Sequence, residues 1–230
     1  MKALRLTLLL PLFSLAVTTL PVDADPSPCE PAMTLNLPIP SLAFLPLSDY
    51  QEVSRRRVLV DGEPAELRRH ERHDGRNTGL HGEHLSTVVA ADGTLKGFAH
   101  LSLARVDQPL PSRARTEAIA RDFLQRQAPD LLPEMKISWI EPHDESLRIQ
   151  REGHRQAVVL TGMKLKARNL ADGRWFWVIV GSDEQVMIFE RDIVWITFPG
   201  HRQTEKWLHD SWLERDGTTP DTGCVPPAAS

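Results

Sequence analysis

The chain has 230 residues, 41% of them hydrophobic, and 27 Lys and Arg against 31 Asp and Glu give a formal charge of −4. This mild acidity, with basic groups only in short runs such as Arg55-Arg56-Arg57, argues against nucleic acid as a partner, because phosphate binding draws on clustered Lys and Arg. The only cysteines are Cys29 and Cys224, whose spacing excludes a Cys-x-x-Cys redox centre.

Residues 1–24 read as a secretory signal peptide. Lys2 and Arg5 precede an apolar run, Leu6–Val17, which is followed by Val22-Asp23-Ala24. The run falls short of the roughly 20 apolar residues of a membrane helix. No later stretch reaches that length, so no span is expected after cleavage, and the expected location is periplasmic or secreted. In that oxidising setting Cys29 and Cys224, one near each mature end, are candidates for a disulfide, with two free or intermolecular thiols as the alternative. About 200 residues remain, enough for one large or two small domains.

Residues 25–52 form a Pro-rich lead-in, with prolines at 26, 28, 31, 38, 40 and 46. Residues 53–215 are expected to be an α+β domain, and residues 216–230 a flexible tail. Within the domain, Asp61-Gly62, Asp74-Gly75, Asp92-Gly93 and Asp172-Gly173 separate segments of strand character. Asp-Gly supplies the positive φ of tight turns. The expected strands are Arg56–Val60, Ala65–Arg72, Leu80–Ala90 and Leu95–Ala104, then Ile137–Glu141, Ala157–Arg168, Arg174–Gly181 and Val186–Phe198. Between the two sets, Ser112 or Thr116 caps a helix that Ala128-Pro129 stops, with Thr116, Ile119, Ala120, Phe123 and Leu124 on its apolar stripe. A last helix is expected over Thr204–Leu213, docked through Trp207, Leu208 and Trp212. The fold class that follows is α+β, an antiparallel sheet of meander hairpins packed by a central helix and a C-terminal helix. The repeated rhythm fits one continuous domain or two similar halves, 53–128 and 129–215.

The most distinctive stretch is Arg174–Phe198, two apolar runs around the polar turn Ser182–Gln185. Alternation puts Trp175, Trp177 and Ile179 on one face and Phe176, Val178 and Val180 on the other. Both faces are apolar, as in a strand covered on both sides. Glu190, Arg191 and Asp192 interrupt the second run, with the two carboxylates expected on one face, roughly 7 Å apart. They could serve acid–base glycoside cleavage, or they could be ion pairs that fix the strand, with Arg168, Arg174, Lys164 or Lys166 as partners. Glu190, Arg191, Asp192, Trp175 and Trp177 are the binding candidates, because indole faces stack on sugars and peptides.

The metal candidates are His70, His73, His81 and His84, with Glu71 or Glu83 in support and zinc as the ion. Residues three apart on a strand face opposite ways, so a solvated polar hairpin is the competing reading, and no cofactor is otherwise called for. His201, Glu205 and His209, spaced by four, are a weaker set. No catalytic residue is assigned: there is no His-Glu-x-x-His, Gly-x-Ser-x-Gly, P-loop or Gly-x-Gly-x-x-Gly.

Residues 88–125, VVAADGTLKGFAHLSLARVDQPLPSRARTEAIARDFLQ, resemble the PepSY and related propeptide-type modules of secreted bacterial proteins. The matching pieces are Asp92-Gly93, Pro111-Ser112 and the helix face Ala118, Ala120 and Phe123; the Asp-x-x-Thr-Gly ending is replaced by GSDEQVMIFERDIVW. The resemblance implies a non-catalytic, peptidase-associated or inhibitory role outside the cytoplasm. The expected function is therefore a binding or regulatory protein of the cell envelope, with an envelope protein or peptidase as partner. A carbohydrate-active or metal-dependent hydrolase and a structural envelope protein are the alternatives.

Overall fold

The structure, a computed structural model, describes residues 42–60, 62–151, 153–198 and 200–216. The signal-peptide and disulfide expectations, and most of the lead-in and tail, lie outside them. Short 3-10 turns at Leu42–Phe44 and Leu47–Asp49 lead into β1 (Tyr50–Val60), β2 (Glu63–Arg72), β3 (His84–Ala90) and β4 (Leu95–Leu101). Helix α1 (Arg113–Gln127) follows, and then a 3-10 turn at Pro129–Leu131. Next come β5 (Met135–Arg151), β6 (His154–Asn169), β7 (Trp175–Val180) and β8 (Val186–Ile193). The small ribbon β9 (Trp195–Ile196) and β10 (His201–Arg202) precedes α2 (Asp210–Asp216).

The eight long strands make one antiparallel sheet in the order β1-β2-β3-β4-β8-β7-β6-β5. Each sequence half supplies a four-stranded meander, and the halves meet where β4 pairs with β8 through Gly97, Phe98 and Ala99. The turns form as their chemistry dictates. Gly93 takes φ +88°, and Asp92 Oδ1 accepts the Thr94 amide at 2.8 Å, which frees β4 to run back along β3.

Both sheet faces are covered in the middle. On the first lie Phe98, Phe176, Val178, Val180 and Phe189, packed with Ala120, Phe123 and Leu124 of α1. Ser112 Oγ accepts the Arg115 amide at 3.2 Å and starts that helix. On the second lie Leu101, Leu147, Leu160, Trp177, Ile179 and Ile188, with Trp207, Leu208 and Leu213 from the C-terminal segment. The alternation of β7 thus splits its residues between two cores, the apolar requirement of a strand buried on both faces.

The α+β expectation is corrected. Among the described residues the architecture is β-rich, one eight-stranded antiparallel sheet with a single long helix, α1, laid on one face rather than at the centre. Two segments account for the difference. The stretch expected as the strands Ile137–Glu141 and Ala157–Arg168 with a gap between them is one hairpin of 17- and 16-residue strands, paired from Met135–Asn169 to Arg151–His154. The expected helix over Thr204–Leu213 begins only at Asp210; before it, Trp207 and Leu208 reach the core from irregular backbone. Among the described residues, no helix is long and apolar enough to cross a membrane.

Candidate functional site

The charges of β8 sort into two separate networks. Glu190 is 2% exposed; it accepts Trp177 Nε1 at 3.1 Å and Arg202 at 2.6 Å, and His209 Nε2 stands 3.5 Å away. Burial alone would raise its pKa, but His209 and Arg202 outweigh that and hold the carboxyl at about 2. Asp192 instead takes Lys96 Nζ at 2.7 Å and Arg191 Nε at 3.3 Å. Arg191 reaches on to Asp130, with one contact at 3.0 Å. The expected shared face for Glu190 and Asp192 is not what the structure shows. Asp192 has φ +60°, a left-handed conformation that breaks the two-residue alternation. Each carboxylate is therefore already neutralised within the chain, and the pair does not present the open, matched acid and base that glycoside cleavage needs.

The partners actually used, Arg202, Lys96 and Asp130, were not among those expected. Lys164 does take part electrostatically. It sits 4.2 Å over the Trp177 ring, and burial pushes its pKa down to about 8, opposed by Glu190 and Glu145. Arg202 lies 5.3 Å from the same ring, so two cations contact Trp177.

Next to this network is a different arrangement. Lys166 Nζ lies 4.6 Å from the Trp175 ring, 5.2 Å from Trp195 and 5.7 Å from Trp139. Cross-strand pairing builds it: Lys166 stands opposite Trp139 on β5 and Trp177 on β7, and Arg168 opposite Trp175. Among the described residues no carboxylate pairs with Lys166, and burial lowers its pKa. Trp195, on the ribbon above, is 45% exposed. A half-buried cation framed by indole faces, with no internal counter-charge, can receive an acidic group from outside. The sequence named Trp175 as a binding candidate but Lys166 only as a partner for the β8 charges, and it did not mark Trp139 or Trp195 for binding; the alternation of Lys164, Lys166 and Arg168 along β6 was the available signal.

The four histidines are dispersed. His70 on β2 faces Glu52 across β1, 3.9 Å away, and His73 is exposed. His81 Nε2 meets Glu214 at 2.7 Å. His84 is buried, with Nδ1 2.8 Å from the Gly82 carbonyl. Among the described residues no group of three His, Cys, Asp or Glu is placed to hold a metal ion. The weaker set does not assemble either, since His201 lies on β10, Glu205 bonds Trp212 and His209 meets Glu190.

Cavities adjoin the sheet on both faces. One, of about 540 Å³, runs between α1, Leu45 and the β7–β8 turn, and the Arg105–Asp183 and Arg115–Glu184 pairs are part of its lining. The other, of about 240 Å³, lies on the second face against Glu190 and Asp210. Asp210 is held by Arg69 at 2.6 Å and by the His81 amide. Comparison with protein-family models, with curated proteins and with solved structures found no match for this chain.

Proposed function

We propose that the chain is an exported, non-catalytic binding or regulatory protein of the cell envelope whose partner presents an acidic group to the Lys166–tryptophan surface. The observation that carries this reading is the contrast between the two charged features. Glu190, Arg191 and Asp192 are consumed by internal partners and act as scaffold, whereas Lys166 has three indole rings around it and, among the described residues, no carboxylate. The secretory N-terminus and the PepSY-like stretch favour an envelope partner, and a peptidase is the specific form we favour.

The test is enrichment from an envelope extract of the source organism on the immobilised mature chain, with Lys166→Glu and Trp195→Ala in parallel. One envelope protein bound by the parent and lost with both variants is expected. Retention by both variants, or no enriched protein at all, overturns the proposal.

A further inference from the structure

The cavity of about 540 Å³ on the first face is a groove walled by α1 and the β7–β8 turn on one side and by Phe44, Leu45 and Pro46 on the other. The described chain begins only two residues earlier, at Leu42, which is half-buried against the core under α1. The chain therefore enters the described part beside this groove. Phe44 fixes that edge. Its ring meets Phe98 and Phe123 edge-on at 5.1 and 5.6 Å, yet the residue is 37% exposed. Ala118, exposed, with Ile119 and Val186, half-buried, adds further apolar surface to the lining.

The charges of the lining are already matched. Arg105 meets Asp183 at 2.8 Å, Arg115 meets Glu184 at 2.7 Å and Arg126 meets Asp122 at 2.7 Å. Both ring nitrogens of His100 are engaged as well, by Tyr50 at 3.0 Å and by Arg105 at 3.2 Å. A charged ligand would find no unmatched group here and would lose its water without gaining a partner. What remains is accessible apolar area, which draws in an uncharged apolar group.

The segment just before Leu42 has that character. Residues 34–41 read TLNLPIPS, without charge and with Leu35, Leu37 and Ile39 at every second position. A residue that precedes proline avoids the helical region, so Leu37 and Ile39 favour extended backbone, and the two prolines lessen the entropy lost on docking. The reach is sufficient. Eight residues at about 3.1 Å each span about 25 Å, against about 22 Å for the 15 residues of α1. Attachment at Leu42 also gives the segment an effective concentration on the order of millimolar at the groove, which a free competitor must exceed.

We propose that residues 34–41 dock in this groove in extended form, with Leu37 and Ile39 against Ile119 and Val186, so that the Pro-rich lead-in completes the cover of the first face. Lys166 lies on the opposite face, between Leu165 and Ala167 of the first core and across from Trp177 of the second, so the groove is independent of the partner surface.

The test is nuclear magnetic resonance of the mature chain, from residue 25, with 13C-labelled Ile and Val methyls. Nuclear Overhauser contacts from the Ile39 methyls to those of Ile119 or Val186 are expected, and they persist in Ile39→Val. In Leu37→Asp/Ile39→Asp the Ile119 and Val186 signals are expected to move, while those of Ile179 and Ile188, buried on the second face, stay put and report an intact fold. A sample mixing labelled and unlabelled chains separates contacts within a chain from contacts between chains. Contacts seen only between chains assign the groove to a second copy, and absent contacts leave it to an outside partner or to water. Either result overturns the proposal, as do Ile119 and Val186 signals unmoved by the double variant.

Discussion

Glu190 shows at residue scale how an apolar strand tolerates charge. At 2% exposure it keeps its ionised form only because Arg202, Trp177 and His209 converge on it, and Arg202 is itself 5% exposed at its side chain. Removing one member leaves the other charged and buried. Glu190→Gln is therefore expected to cost about 3–5 kcal/mol in urea unfolding, with part of it recovered in Glu190→Leu/Arg202→Leu, where both charges are gone. Loss of only a few tenths in the single variant would show that water reaches Arg202. A second residue sets the acid limit. Burial and the Arg105 guanidinium push His100 down to about 4, while in the unfolded chain it titrates near its usual value of about 6.5. The unfolded state then binds more protons between those values. The stability His100 contributes is complete above pH 6.5 and lost as pH falls towards 4. His100→Gln, able to keep a hydrogen bond to Tyr50, is expected to flatten the melting temperature in that window relative to the parent. The need for partners around Glu190-Arg191-Asp192 was legible in the sequence, since such a run cannot stay unpaired inside. Their identity was not, because Lys96, Asp130 and Arg202 come from other elements. Nor does any local signal mark Asp192 for a left-handed backbone.

Among the elements, the hairpins with Asp-Gly turns could be read because glycine's backbone freedom is a local property. The long β5–β6 arm could not. Pro142-His143-Asp144-Glu145 dilutes its apolar pattern, yet β5 is an edge strand, where a missing N–H and outward charge are tolerated. The C-terminal segment was misread as a helix from Thr204 because spacing alone cannot separate a helical stripe from side chains dropped into a core by a turn. Two glycines show what close strand approach requires. A Cβ at Gly97 would lie 2.7 Å from the Phe189 carbonyl oxygen, at the seam between the two meanders. A Cβ at Gly162 would meet mainly side-chain atoms, the Ile179 Cγ2 methyl at 2.7 Å and the Met187 sulfur at 2.8 Å, with the Val180 carbonyl oxygen farther off at 3.1 Å. Gly162→Ala is thus expected to cost about 1 kcal/mol and Gly97→Ala about 3 kcal/mol, the two ends of the usual range for overpacking. Equal losses in parallel denaturant titrations would mean that the β4–β8 seam yields as readily as a side chain does.

For the molecule as a whole, the two covered faces depend on different closures. The first is held by α1, whose Phe123 packs edge-on against Phe44 and Phe189, a contact built from apolar area. The second is held by a short segment that adds an ionic latch to its apolar anchors Trp207, Leu208 and Leu213. Arg69 grips Asp210 with both terminal nitrogens, at 2.6 and 3.3 Å, the His81 amide donates to the same carboxylate, and Glu214 receives His81. These bonds tie the start of α2 to β2 and to the loop before β3, far from it in sequence. Asp210→Ala removes the acceptor of all the Asp210 bonds and leaves Arg69 buried, whose remaining bonds run to Glu71 and the Gly79 carbonyl. The expected loss is about 3–5 kcal/mol, unevenly distributed. Hydrogen exchange should quicken first in residues 204–216 and around His81–His84, while amides of β7 and α1 keep their protection until global unfolding. Uniform acceleration across both faces would show instead that the sheet and its C-terminal cover open as one cooperative unit, so that Asp210 stabilises the whole fold rather than latching one layer.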